Sequence, residues 1–187
     1  MLNVYICIVI CAIILIANGI CVVHAIRNHI TSEIYMHTGL TLFLGLLTLE
    51  LTIGRSEAWT HYDIFWLEII GWILYIPSAI LVTGSMIALH HKGKPESADF
   101  TDSTIFIDSG IYKLVRQPMT LGVALWSIAL VLVFQSLLAV ILGLLSLFCF
   151  WMSARKESIY NIRKFGADYK EYMKKVPMWN IFKRIRM

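Results

Sequence analysis

Residues 118–152 read PMTLGVALWSIALVLVF, then QS, then LLAVILGLLSLFCFWM. Two apolar runs, Pro118–Phe134 and Leu137–Met152, are parted only by Gln135 and Ser136. Each approaches the roughly 20 residues that a helix needs to cross a hydrocarbon layer about 30 Å thick. Two residues leave no room for a folded loop, so the pair reads as a tight helical hairpin in a bilayer, where backbone groups must be satisfied internally. Further runs lie upstream. Residues 2–23 are broken only by Asn3 and Asn18, residues 36–53 contain Glu50, and residues 64–89 carry Glu68 near the start and Pro77 in the middle. The first run has no basic residue ahead of it and is long for a signal-peptide core, which makes it a retained span. The fold expected is an all-α membrane protein, residues 1–187 forming one domain. Its spans fall at about 2–23, 36–53, 64–89, 118–134 and 137–152, without repeats or low-complexity tracts.

Composition agrees. Of 187 residues, 58% are hydrophobic and 15% charged, with mean hydropathy +0.72. A soluble domain is about 25% charged, so this chain cannot coat a globule in water, and disordered, collagen-like and disulfide-scaffold classes fall with it. The net charge of +4 is unevenly placed. On the five-span topology, fifteen of the 16 Lys and Arg residues fall on one side, among them Arg27, Lys92, Arg116 and the whole tail from Arg155, and Arg55 alone falls opposite. The positive-inside rule then places the N-terminus outside and the long loop and tail in the cytoplasm. Short loops and the lack of an organelle signal favour a prokaryotic plasma membrane.

Cys7, Cys11, Cys21 and Cys149 all fall in apolar runs and read as packing residues. The six histidines show no zinc-ligand spacing beside cysteines, and nothing points to a metal or to nucleic acid. Glu50 and Glu68 lie near the outer boundary, where an interfacial or helix-pairing role suits them.

The polar residues gather in segments 90–117 and 154–187, which the hairpin brings together at one face. Gly110 permits a turn, and Pro118 suits the first position of a helix, where its missing N–H costs nothing. That helix start can hold a carboxylate, and Gly122 leaves room for close approach of a helix or ligand. In the tail, Ile159, Ile162 and Phe165, then Tyr169, Tyr172 and Met173, recur at helical spacing, predicting an amphipathic helix on or near the membrane. Glu157 is the acid at the start of this basic tail. A charged cluster beside an apolar hairpin suits an enzyme joining a soluble reagent to a membrane-embedded substrate.

Together the segments Gly110-Ile-Tyr112, Arg116-Gln-Pro-Met-Thr-Leu-Gly122, Glu157-Ser158, Phe165-Gly-Ala-Asp-Tyr169-Lys-Glu-Tyr172 and Val176-Pro177 resemble the integral-membrane methyltransferases of the isoprenylcysteine carboxyl methyltransferase and phospholipid methyltransferase group. That family's pattern runs Gly-x-Tyr, Arg-His-Pro-x-Tyr-x-Gly, a helical hairpin, Glu-Glu, Phe-Gly-x-x-Tyr-x-x-Tyr and Val-Pro. The resemblance covers residues 90–177. It implies methyl transfer from S-adenosylmethionine, without metal, to a lipophilic acceptor held in the membrane. By position it implies that the cofactor is bound by Thr104, Ile105, Phe106, Ile107, Tyr112, Gln117, Pro118, Met119, Thr120 and Glu157, in segments 90–122 and 153–177. It assigns no catalytic residue. Gln117 stands where the family has His, Thr120 where it has Tyr, and Ser158 where it has the second Glu. Isoprenylcysteine methyltransferases hold the acceptor carboxylate with an Arg four residues before the first Glu. Here that position is Ser153, with Arg155 two residues on and about 200° around the helix, so Ser153 and Arg155 are the acceptor-binding candidates. Two other functions remain open: an NADPH-dependent membrane reductase of the sterol reductase type, and a non-catalytic membrane protein that retains the fold.

Overall fold

The structure is a computed structural model that describes residues 2–54, 58–93 and 105–180. Five α-helices carry the fold: α1 Leu2–Arg27, α2 Thr31–Thr52, α3 Phe65–Lys92, α4 Pro118–Phe134 and α5 Leu137–Lys175, with one 3-10 turn, Gly110–Lys113, before α4. Among the described residues, α1, α2, α3 and α5 are long and apolar enough to cross a membrane, while α4 has 17 residues. In space α1 packs on α2, α2 on α5, α5 on α4, and α4 on α3. The chain is a multi-pass helical membrane protein.

Hydroxyls that would be costly in hydrocarbon are absorbed by the helices themselves. Thr41, Thr48 and Thr52 of α2 each donate to the carbonyl four residues back. Helices meet through small residues, as packing between lipid-embedded helices favours. A Cβ on Gly122 of α4 would lie 2.7 Å from Val82 Cγ2 and 3.0 Å from the Ser78 carbonyl oxygen of α3. The Ser78 hydroxyl donates to the Gly122 carbonyl at 2.7 Å. Between α4 and α5, the Ser127 and Ser146 hydroxyls pair at 3.0 Å. Phe43 and Leu46 of α2, Leu130 of α4 and Phe150 of α5 form the central core. By contrast α1 turns Ile8, Val9, Ile13, Leu15, Ile16 and Ile20 outward, as a lipid-facing helix does.

The hairpin of residues 118–152 forms as expected, and its two polar residues make the turn. Gln135 adopts the left-handed conformation at φ 47°, and the Ser136 hydroxyl caps α5 by accepting from the Ala139 N–H at 2.9 Å. The Gln135 side chain takes both backbone groups of Ile64, at 2.9 and 3.1 Å, fixing the hairpin to the start of α3. Glu50 is buried beside it. It accepts from Ser136 and, at 3.1 Å, from the Trp59 indole, which makes it a helix-pairing residue. Glu68 stays exposed, bonded to Trp72 on its own helix.

Two helix boundaries differ most from expectation. The helix expected at 36–53 begins at Thr31, because the polar turn Thr31-Ser-Glu33 lowers hydropathy without disfavouring helix. The fifth helix does not end at residue 152. Arg155-Lys-Glu-Ser158 are compatible with helix, so α5 continues past the apolar part until Gly166, whose φ of 66° breaks it. The expected amphipathic tail helix is thus the continuation of α5, and its apolar stripe folds back on the protein: Tyr169, Tyr172 and Val176 are buried against Phe106, Ile162, Phe165 and Met173.

These lengths recess one place in the bundle. Gly122 abuts Val82, so α3 runs about 9 Å past the start of α4 before ending at Lys92. On the other side α5 rises about 12 Å from Glu157 to Phe165. The first turn of α4 is therefore the floor of a chamber at the basic end of the bundle.

Candidate functional site

The floor is built by Gln117, which precedes α4, and by Pro118, fully buried at the first helical position. With its amide nitrogen turned to the carboxylate, as the surrounding donors and acceptors require, Gln117 donates to Glu157 Oε2 at 2.8 Å and Oε1 at 3.2 Å. Asn161, one helical turn beyond Glu157, reaches the same carboxylate and also donates to the Tyr169 hydroxyl at 3.4 Å. Glu157 is half-buried, with acceptor capacity left over, since a carboxylate offers about four lone-pair directions.

The 3-10 turn sets Tyr112 over this carboxylate. Its side chain meets Ser85 of α3, and its carbonyl accepts from the Tyr172 hydroxyl at 2.6 Å. Burial, with the nearby Glu157 charge second, pushes the Tyr112 phenol well above its ordinary range, so it stays protonated. Behind it stands an aromatic wall. The Phe106 ring lies 5.6 Å from Phe165, 5.9 Å from Tyr169 and 5.6 Å from Tyr172, centroid to centroid. A carboxylate beside aromatic rings favours a cationic ligand, and Glu33 of α2 lies close enough for its charge to add to that of Glu157.

The tail closes the chamber as a strap. The Arg116 and Gln117 N–H groups donate to the Pro177 and Met178 carbonyls at 2.9 and 3.4 Å. The Trp179 indole N–H donates to the Thr120 hydroxyl at 3.1 Å, and that hydroxyl in turn donates to the Gln117 carbonyl. The Arg116 side chain lies near Tyr169 and Tyr172 of the aromatic wall. Burial lowers its pKa, though an arginine stays charged, and its Nε and Nη1 are buried without a hydrogen-bond partner.

Of the residues expected at the site, Phe106, Tyr112, Gln117, Pro118, Thr120 and Glu157 converge here. Ile107 is buried and Met119 half-buried, while Ile105 is exposed, its N–H donating to the Gly93 carbonyl at 3.4 Å. Thr104 lies outside the described residues. Ser153 and Arg155 do not come together. The Ser153 hydroxyl donates to the Ser32 carbonyl of α2 at 2.8 Å, and the Arg155 guanidinium lies over the Trp151 ring, 4.8 Å from its centroid. Ser85, Asn161 and Trp179 join the site without having been singled out from the sequence. Asn161 had a signal, standing four residues from Glu157 on the same helix face. Ser85 sits in an apolar helix and Trp179 in an irregular tail, and neither carried one. Among the described residues no group of three or more His, Cys, Asp or Glu is placed to hold a metal.

An all-helical bundle of apolar helices with Glu157 and an aromatic wall recessed at its basic end defines a polytopic membrane protein. Residues 66–168, from α3 through the chamber-forming part of α5, match the phospholipid methyltransferase family, and the chain belongs to it. Over 151 residues it is 27% identical to a protein-S-isoprenylcysteine O-methyltransferase of Xenopus laevis, an overlap of 72% of this chain and 51% of that protein. The chain thus spans about half the length of that relative. No solved structure matches it.

Proposed function

We propose that the protein transfers a methyl group from S-adenosylmethionine to a lipophilic acceptor in the membrane. The observation that carries this is the Gln117–Glu157–Tyr112 constellation at the recessed start of α4, inside the family-matched residues. The chamber fits such a cofactor. Glu157 has spare acceptor capacity for an ammonium or a ribose hydroxyl, and the half-buried Phe106 ring, backed by the buried Tyr169 and Tyr172, would receive a cation or a flat base. Ile105, Phe106, Ile107, Tyr112, Gln117, Pro118, Met119, Thr120 and Glu157 would hold it, with Thr104 assigned by position. The chemistry supplied by bound S-adenosylmethionine is a methyl group activated by its sulfonium.

The chain's own residues orient and exclude. Gln117 and Asn161 fix the carboxylate, Tyr112 and the strap shut out water, and the hydrocarbon beside α4 and α5 retains the acceptor. Proximity and alignment account for much of the rate in such a transfer. The basic end is then cytoplasmic, where the soluble reagent is found. A nicotinamide dinucleotide fits less well, because its phosphates would meet the Glu157 carboxylate.

The test is calorimetric titration of the detergent-solubilised chain with S-adenosylhomocysteine, folding being confirmed by circular dichroism. Binding is expected, weakened at least tenfold by Glu157→Ala and unchanged by Lys170→Ala. A folded chain that binds neither S-adenosylmethionine nor S-adenosylhomocysteine refutes the proposal. Protection from unfolding by NADPH alone would transfer it to a reductase. Lipid extracts made with and without the protein, compared for products heavier by one CH₂, would then identify the acceptor.

A further inference from the structure

A second cleft lies along α5 beside the chamber. Trp151, Arg155, Ile159 and Ile162 follow one another along one face of the helix, and Ser158, Arg116, Met173 and Met178 complete the lining around a volume of about 340 Å³. Glu157 is two residues from both Arg155 and Ile159, hence about 200° away around the helix. The Arg155 and Ile159 side of the cleft is therefore turned away from Glu157, and the strap residue Met178 lies between the cleft and the chamber.

Three features of the cleft point to the same ligand. Arg116 lines it, and its Nε and Nη1 are buried without a partner, a state that native proteins relieve with an ion, a water or a ligand. Arg155 provides a second guanidinium at the rim, and paired arginines select oxyanions such as phosphate. Below the arginines the same face of α5 continues as Trp151, Phe148 and Leu144, all exposed and apolar. Arg155 stands 18 residues beyond Leu137, about 27 Å along the helix, close to the hydrocarbon thickness of about 30 Å. The arginines are thus at headgroup depth, with an apolar track running beneath them.

We propose that this cleft binds the phosphate of an anionic phospholipid, as a resident lipid separate from the methyl acceptor. The phosphate lies between Arg116 and Arg155, and an acyl chain follows Trp151, Phe148 and Leu144 into the bilayer. Because the Arg116 N–H also holds Pro177, lipid binding would stiffen the junction between the strap and the start of α4.

Native mass spectrometry of the full chain in mild detergent tests this, using phosphatidylglycerol, phosphatidylcholine and inorganic phosphate as probes. One phosphatidylglycerol is expected to stay bound in preference to phosphatidylcholine. Its affinity should fall at least tenfold in Arg116→Gln and in Arg155→Gln and stay unchanged in Lys170→Gln, an exposed lysine that reports general attraction to anionic lipid. Should Arg116→Gln unfold by circular dichroism, Arg155→Gln, at the exposed rim, decides. Equal affinity in the folded arginine variants overturns the proposal, as does equal loss in Lys170→Gln. Displacement of the lipid by equimolar inorganic phosphate overturns the lipid assignment. The readout is lipid binding, so it stands or falls independently of methyl transfer.

Discussion

Gly122→Ala is a small change whose consequences the structure sets out. The added Cβ would lie 2.7 Å from Val82 Cγ2 and 3.0 Å from the Ser78 carbonyl oxygen. Carbon–carbon contacts settle at about 3.5–4.0 Å, so α3 and α4 must separate locally by about 1 Å. Overpacking of this kind costs about 1–3 kcal/mol, and better helix propensity returns up to about 1 kcal/mol. Gly45 on α2 is the matched control, because a Cβ there meets nothing within 4 Å and only the propensity gain remains. The two variants should therefore differ by about 1–3 kcal/mol in unfolding by sodium dodecyl sulfate in mixed micelles, Gly122→Ala being the less stable. The effect extends to the chamber, since α3 carries Ser85, which positions Tyr112, and α4 carries the floor at Gln117 and Pro118. A displacement of about 1 Å can cost on the order of 100-fold in rate. Gly122→Ala should accordingly weaken S-adenosylhomocysteine binding and turnover in the fraction that folds. If the two variants are equally stable and bind alike, the α3–α4 contact does not set the chamber.

Three further perturbations probe separate parts of the molecule. Trp179→Phe keeps a ring but removes the bond to Thr120, at a cost of about 0.5–1.5 kcal/mol; hydrogen exchange at the Arg116 and Gln117 amides should speed up, and unchanged exchange would show that the strap is held without the indole. Glu50→Ala strands the Ser136 and Trp59 donors at about 1–3 kcal/mol each, yet cofactor affinity of the folded fraction should not move, because the hairpin turn lies at the opposite end of the bundle; a shift in affinity would refute that separation. Tyr112 has a raised pKa in the fold, so its stabilising contribution is complete below the ordinary phenol value near 10 and is lost as pH climbs towards the folded value. The alkaline fall in thermal stability should flatten in Tyr112→Phe, and an identical slope in both proteins would remove Tyr112 from that account.

Hydropathy made the bundle legible because lipid demands long apolar helices, and the Gln135-Ser136 pair marked the hairpin because no longer connection was available. It could not place the ends of helices whose terminal turns are polar but helix-compatible, which is why Thr31-Ser-Glu33 and Arg155-Lys-Glu-Ser158 fell outside the expected spans. The ordered motifs brought together Tyr112, Gln117 and Glu157, whose side chains lie on elements adjoining the hairpin. Ser85 and Trp179 stayed hidden for a physical reason. Each reaches the chamber through tertiary packing, α3 against α4 for one and the strap for the other, and neither leaves a local pattern. The fate of Ser153 was equally hidden, since only the α2–α5 contact shows its hydroxyl turned towards Ser32.

The departures from the family pattern look different once their partners are known. At position 117 an imidazole would present one nitrogen to Glu157, whereas the Gln117 amide reaches both carboxylate oxygens without bringing a charge or a titratable proton. The resemblance leads to an aromatic residue at position 120. The chain has Thr120, a side chain too short to form a wall, and the Trp179 indole stands on its hydroxyl. Ser158, in place of the second acid, bonds back to Ala154 within its own helix and leaves Glu157 as the carboxylate at the chamber floor. These replacements exchange charge and proton transfer for hydrogen bonding and packing. On the reading proposed for it, a chamber built this way binds and aligns by hydrogen bonding and packing rather than through a residue at positions 117 or 158 that could carry a proton.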